Sequence, residues 1–163
     1  MKLNGQLLEL IRHCNCIDGM ILSEEPGNFQ IHDGTIFLKR EYHVGQWLHI
    51  QGSILNDGLY RVDNAENGLH KLSNGTDDET PTQSNEAFTG TVRGLIVSPA
   101  FVALAVEIMA FDTKNAPTGK TSEKFGSYSY TRATNANGVA VGWSEAFAVR
   151  LRPYKQMFAK IRV

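Results

Sequence analysis

Cysteine is scarce in this chain: 163 residues hold two, Cys14 and Cys16, one residue apart. A mutual disulfide at that spacing is strained, so the expected setting is reducing and cytoplasmic, with a core formed without covalent staples. Long apolar runs are also missing. The longest, residues 95–111, is broken by Ser98, Pro99 and Glu107 and falls short of the ~20 residues that cross a bilayer. Glu9 and Arg12 interrupt the first apolar segment, so neither a signal peptide nor a membrane is expected. No sign of charge dominates. Sixteen basic residues against seventeen acidic ones give a net charge of -1, which excludes the strongly basic balance of a protein that grips nucleic acid by its phosphates.

Chemical fingerprints are equally sparse. Gly119-Lys120-Thr121 ends like a phosphate-binding loop, but Lys114 stands where that loop needs its first glycine, and the flanking elements run in the wrong order. His13, Cys14 and Cys16 offer soft metal ligands without a fourth. His32, His43, His49 and His70 do not recur at ligand spacing. There is no Gly-x-Ser-x-Gly elbow, and His13 and Cys14, adjacent on a helix, point apart. Asp77, Asp78 and Glu79 lie in a polar stretch where solvent keeps carboxylates ordinary. The expectation is a protein without cofactor or metal that is not an enzyme.

What is present is the composition of one globular domain, or one domain with a modest insertion: 42% hydrophobic and 20% charged residues. Leu3, Leu7, Leu8 and Ile11 share a helical face and predict a short N-terminal helix. Short segments at 29–31, 35–39, 47–51 and 60–62, rich in Ile, Phe, Trp, Tyr and Val, predict a small antiparallel β unit. Pro26-Gly27, Asp33-Gly34, Asp57-Gly58 and Asn67-Gly68 read as turns. Asp33-Gly34 between alternating runs is a hairpin signal. Residues 73–87, polar with clustered acids, read as a mobile loop.

Ser98 then caps a helix that starts on Pro99. Phe101, Leu104, Ile108 and Phe111 form one stripe on it, and Val102, Val106 and Met109 a second. A helix apolar nearly all round is covered nearly all round, by the core or by a neighbouring subunit. Phe125, Tyr128 and Tyr130 mark a strand. Trp143, Phe147, Leu151, Tyr154 and Phe158 mark a last helix, with Pro153 predicting a kink or restart near Arg152. Residues 143–163 carry Arg150, Arg152, Lys155, Lys160 and Arg162 against Glu145, a net +4 that leaves -5 elsewhere. The expected fold is α+β: a small helical bundle (N-terminal, central apolar and C-terminal helices; residues 1–18 and 94–163) with an inserted antiparallel β unit (residues 19–93).

Three phrases carry a family resemblance: G-S-I-L-N-D-G-L-Y at 52–60, S-E-K-F-G-S-Y-S-Y at 122–130, and the helix from Trp143 that ends in L-R-P-Y at 151–154. Together they resemble the head–tail connector (adaptor) proteins of long-tailed bacteriophages, especially those of Gram-positive hosts. The resemblance implies a virion protein assembled in the host cytoplasm into a ring of twelve copies. That ring sits between the portal and a tail-side stopper or tail-completion protein, around a channel that passes double-stranded DNA without binding it.

It also implies portal docking by Arg150, Arg152, Tyr154, Lys155, Phe158, Lys160 and Arg162. Ring contacts join unlike surfaces. The expected subunit interface is Phe101, Leu104, Ile108 and Phe111, with the aromatics Phe125, Tyr128, Tyr130, Trp143 and Phe147. The alternatives are a monomeric β-type module binding peptide or carbohydrate, and a small hydrolase using His13, Cys14 or an acid.

Overall fold

The structure, a computed structural model, describes residues 2–73, 85–114, 122–125, 128–131 and 141–159. In chain order these form α1 (Leu3–Cys14), α2 (Ile17–Met20), β1 (Ile21–His32), β2 (Thr35–Phe37), β3 (Trp47–Gln51), β4 (Gly58–Glu66) and β5 (Leu69–Ser73). There follow β6 (Glu86–Leu95), α3 (Pro99–Lys114), β7 (Ser122–Phe125), β8 (Tyr128–Thr131), α4 (Trp143–Ala146) and α5 (Ala148–Ala159). Strands β1 to β6 close a barrel in the order β1-β2-β5-β4-β3-β6, every pairing antiparallel. β7 and β8 make a separate hairpin in which Phe125 pairs with Tyr128.

This overturns the expected helical bundle with an inserted β unit. The fold is a closed six-stranded antiparallel barrel with a few short helices. The error arose at β1 and β6, the two longest strands, which pair along most of their length. Pro26-Gly27 is not a turn: Pro26 pairs with Thr91 and Gly27 with Gly90 inside the ladder. A proline is tolerated there because β2 joins β1 only at Ile31 and His32, so β1 has a single bonded neighbour at Pro26. β6 carries Gly90 and Gly94, where neighbouring atoms approach too closely for a side chain, and glycine erases the alternation by which strands are recognised.

Local signals elsewhere give the elements they predict. Asp33 and Gly34 turn β1 into β2 with φ of 48° and 71°, and Asn67 and Gly68 turn β4 into β5 with 50° and 80°. Both are two-residue hairpins of the kind that needs positive φ at each centre. Ser98 Oγ accepts from the Phe101 N–H at 3.2 Å, capping α3. The last helix restarts at Phe147, between α4 and α5, and Pro153 lies inside α5. Of the kink or restart expected near Arg152, the restart falls instead at Phe147. Of the expected mobile loop, Ser73 ends β5 and Glu86 opens β6, while residues 74–84 lie outside the described residues.

Two cores result. Ile31, Ile36, Leu48, Ile50, Val62, Leu72 and Val92 fill the barrel interior, with Phe29 and Phe88 in contact at 5.5 Å. The opposite faces of the same strands supply Trp47, Leu59 and Leu95 to a second core, in which α1, α3 and α5 contribute Leu7, Leu10, Ile11, Phe101, Leu104, Ile108 and Leu151. Trp47, Leu48, His49 and Ile50 are consequently all buried, because the barrel covers one face of β3 and the helices the other. No helix among the described residues is long and apolar enough to cross a membrane.

Candidate interaction surfaces

The most strongly organised surface feature is the loop between β3 and β4. Glu86, the first residue of β6, turns its carboxylate under this loop. The carboxylate accepts hydrogen bonds from Ser53 Oγ, from the Ile54 N–H at 2.8 Å, the Leu55 N–H at 3.1 Å and Asn56 Nδ2 at 2.9 Å. Ser53 Oγ in turn accepts from the Asn56 N–H at 2.6 Å. The Ser53 hydroxyl, then the Ile54 N–H, Asn56 and Leu55, hold the Glu86 pKa down at about 2. With both backbone N–H groups drawn inward, the side chains of Ile54 and Leu55 stand in solvent, 91% and 60% exposed. The result is a pinned finger with an apolar tip.

A second surface lies at the other end of the same hairpin. Leu3, Trp47, Val97 and Val102 line a groove of about 430 Å³, with Arg61 at its edge. Trp47 pairs with Arg61 there, whereas Ile50 pairs with Gly58 at the foot of the finger. Smaller depressions lie beside His70 and beside Glu24 and Glu25. In the latter, Glu25 accepts the Lys39 and Arg40 N–H groups at 3.0 and 3.2 Å, so its oxygens are committed to the fold.

The residues expected to dock on a portal fall into three groups. Arg150 forms a two-pronged ion pair with Glu107 on α3, one prong at 3.0 Å, and lies 5.5 Å from the Phe147 ring. Tyr154 meets Phe101 edge-on at 4.7 Å, and Lys155 Nζ donates to His13 Nε2 at 2.8 Å. These three residues fasten α5 to α3 and α1. Arg152 is exposed, next to the 84% exposed Val149. The Phe158 side chain, Lys160 and Arg162 lie outside the described residues.

The expected subunit interface is redistributed in the same way. Phe101, Leu104 and Ile108 are covered inside the single copy. Their burial corrects the idea that this stripe waits for a neighbour: α1, α5 and the barrel wall already cover it. Phe111 stacks edge-on against Phe147 at 5.6 Å, and Trp143 against His13 at 4.9 Å. Val106, half exposed, remains outward on α3. Phe125, Tyr128 and Tyr130 are placed by their backbone on β7 and β8; their side chains lie outside the described residues.

The sequence reading missed the finger's anchor. Ser53-x-x-Asn56 between Gly52 and Gly58 is a legible turn signal, but nothing local announces that Glu86, placed in a polar loop, would close it.

Buried titratable groups are structural. His70 accepts the Tyr42 N–H on Nε2 at 3.1 Å, and its Nδ1–H donates to the Gly68 carbonyl at 3.0 Å. Burial lowers its pKa. Burial, outweighing Asp57, also lowers that of His49. Cys14 and Cys16 are buried free thiols, and the hydrogen bond between them lowers the first and raises the second. Among the described residues no three His, Cys, Asp or Glu side chains are grouped to hold a metal.

Fold and surfaces together define a small closed β-barrel, buttressed by helices, that presents apolar surface on a pinned loop and on a helix. No family model, curated protein or solved structure matches the chain.

Proposed function

We propose that the chain is a structural head–tail connector (adaptor) of a tailed bacteriophage. In this reading copies assemble in the host cytoplasm into a ring of twelve between the portal and a tail-side stopper or tail-completion protein, and the ring surrounds the path of double-stranded DNA in the virion. The protein is not an enzyme. The observation that carries the reading is the placement of exposed apolar side chains on separate elements, Ile54 on the finger and Val149 on α5, 91% and 84% exposed. Scattered single side chains need no explanation, but a rigid loop built to hold two of them outward suits a protein whose surfaces meet unlike surfaces on neighbours.

The three sequence phrases support the same reading: the first holds the finger, the second spans β7 and β8, and the third ends within α5. The near-zero net charge of -1 suits passage of DNA without capture.

Portal docking falls to the outward face of α5, where Val149 and Arg152 are exposed, because Arg150, Tyr154 and Lys155 are engaged within the copy. The test is co-sedimentation and imaging with the cognate portal. The wild-type chain is expected to decorate the portal as a closed ring, and Val149→Asp/Arg152→Glu to leave folding intact and prevent decoration. A wild-type chain that never binds portal, or saturable binding of a peptide or glycan by a monomer, overturns the reading.

A further inference from the structure

We propose that the 52–57 finger of one copy seats in the groove floored by Leu3, Trp47, Val97 and Val102 of the next copy, a head-to-tail contact between second copies of this chain. The inference deepens the connector reading, on which it rests for its setting. Finger and groove occupy opposite ends of the β3–β4 hairpin, the groove at the Trp47–Arg61 pair and the finger beyond the Ile50–Gly58 pair. At about 3.4 Å per residue the two ends stand on the order of 10 Å or more apart along one rigid ladder. A finger therefore cannot reach its own groove. Unlike surfaces at opposite ends of a rigid body join copies in series, and such a series closes into a ring when the rotation between copies permits.

Shape, polarity and charge agree. The finger offers two adjacent aliphatic side chains, and the groove an aliphatic and aromatic lining of about 430 Å³. Asp57 is exposed at the foot of the finger and Arg61 lies at the edge of the groove, and among the described residues neither is in an ion pair. Docking sets the acid of one copy against the guanidinium of the next, which fixes register as well as attraction. The Glu86 clamp has already ordered the finger backbone, so docking forfeits little loop entropy.

The experiment is disulfide trapping of the full chain with exposed cysteines on the two surfaces. Ala103, exposed on α3, also lines the groove; Ile54→Cys and Ala103→Cys, mixed as single variants, are expected to give a mixed dimer in preference to either self-dimer. The two substitutions in one chain are expected to give a ladder of multimers. Native Cys14 and Cys16 are buried and do not interfere. In sedimentation runs up to about 1 mM, the weak end of specific association, wild-type mass is expected to rise with concentration, and Ile54→Asp/Leu55→Asp to remain monomeric.

Asp57→Arg and Arg61→Asp should each weaken association several-fold and in combination restore it. A wild-type chain that stays monomeric throughout, self-dimers as abundant as mixed dimers, or association that survives Ile54→Asp/Leu55→Asp each overturns the contact. The connector reading stands or falls separately, on portal decoration.

Discussion

Gly90 lies so close against Gln51 that a β-carbon on it would sit 2.1 Å from the Gln51 carbonyl oxygen. The obstacle is the backbone of β3, which a rotamer change cannot relieve. β6 bonds β1 on one side and β3 on the other, and glycine inside the strand is what permits this close approach of a second backbone. Gly90→Ala should cost about 1–3 kcal/mol, the range for overpacking a dense interior, read as a lower urea midpoint. Gly142→Ala, with nothing within 4 Å of the added carbon, should stay within about 0.5 kcal/mol of wild type.

Acid should weaken the fold in two stages. His49 and His70 are buried, and burial holds both pKa values below the ordinary 6.5. For His49, Arg93 and Arg12 add to the lowering and Asp57 opposes it; for His70, the Gly68 carbonyl, Glu25 and Glu41 oppose it. The unfolded chain binds these protons near pH 6.5 and the folded chain only further down. Stability is thus whole above that point and falls below it, by up to about 1.4 kcal/mol per pH unit for each histidine. Urea midpoints between about pH 7 and pH 5 should show the decline, and His70→Asn should make it shallower, leaving the His49 part; a wild-type profile level across that window contradicts it.

Glu86 supplies the second stage. Its carboxyl is held at about 2 against an ordinary 4.5, so its contribution is complete above 4.5 and disappears as pH falls toward 2. Glu86→Gln keeps one acceptor oxygen and puts an NH2 group where the other stood, so either the Ile54 N–H or the Leu55 N–H loses its acceptor and faces a donor. Amide exchange at Ile54 and Leu55 should accelerate while Leu48 and Val62 stay protected, as local opening of one loop requires.

Phe101 and Tyr154 meet edge-on at 4.7 Å, joining α3 to α5. Phe101 is fully buried, so Phe101→Ala should cost about 3–5 kcal/mol. A double-mutant cycle with Tyr154→Ala should return a coupling of about 0.5–1.5 kcal/mol. Coupling near zero would place α5 elsewhere in solution.

Local rules were enough for α1, for the Ser98 cap, and for the Asp33-Gly34 hairpin, because each depends on residues a few positions apart. They failed at Pro26-Gly27, at Gly90 and at Glu86. A turn dipeptide sits inside a strand because the strand has one bonded neighbour at that point. A glycine sits in a strand because another backbone passes beside it. A loop glutamate becomes an anchor because the loop some thirty positions earlier folds over it.

The expected portal and interface residues show the same division. Hydrophobicity correctly marked Phe101, Leu104 and Ile108 as residues that must be covered, but covering by a neighbour and covering by α1 and α5 leave the same pattern in the chain.

By itself, the order of amino acids determined which segments were apolar and where two tight turns fell. Tertiary structure alone decided that six strands close on themselves, that the apolar stripe of α3 is satisfied at home, and that Ile54 and Leu55 are held outward at the end of a rigid hairpin. The reason is physical: turns and caps are settled by short-range sterics and hydrogen bonds, whereas barrel closure and exposure depend on which distant backbones approach one another.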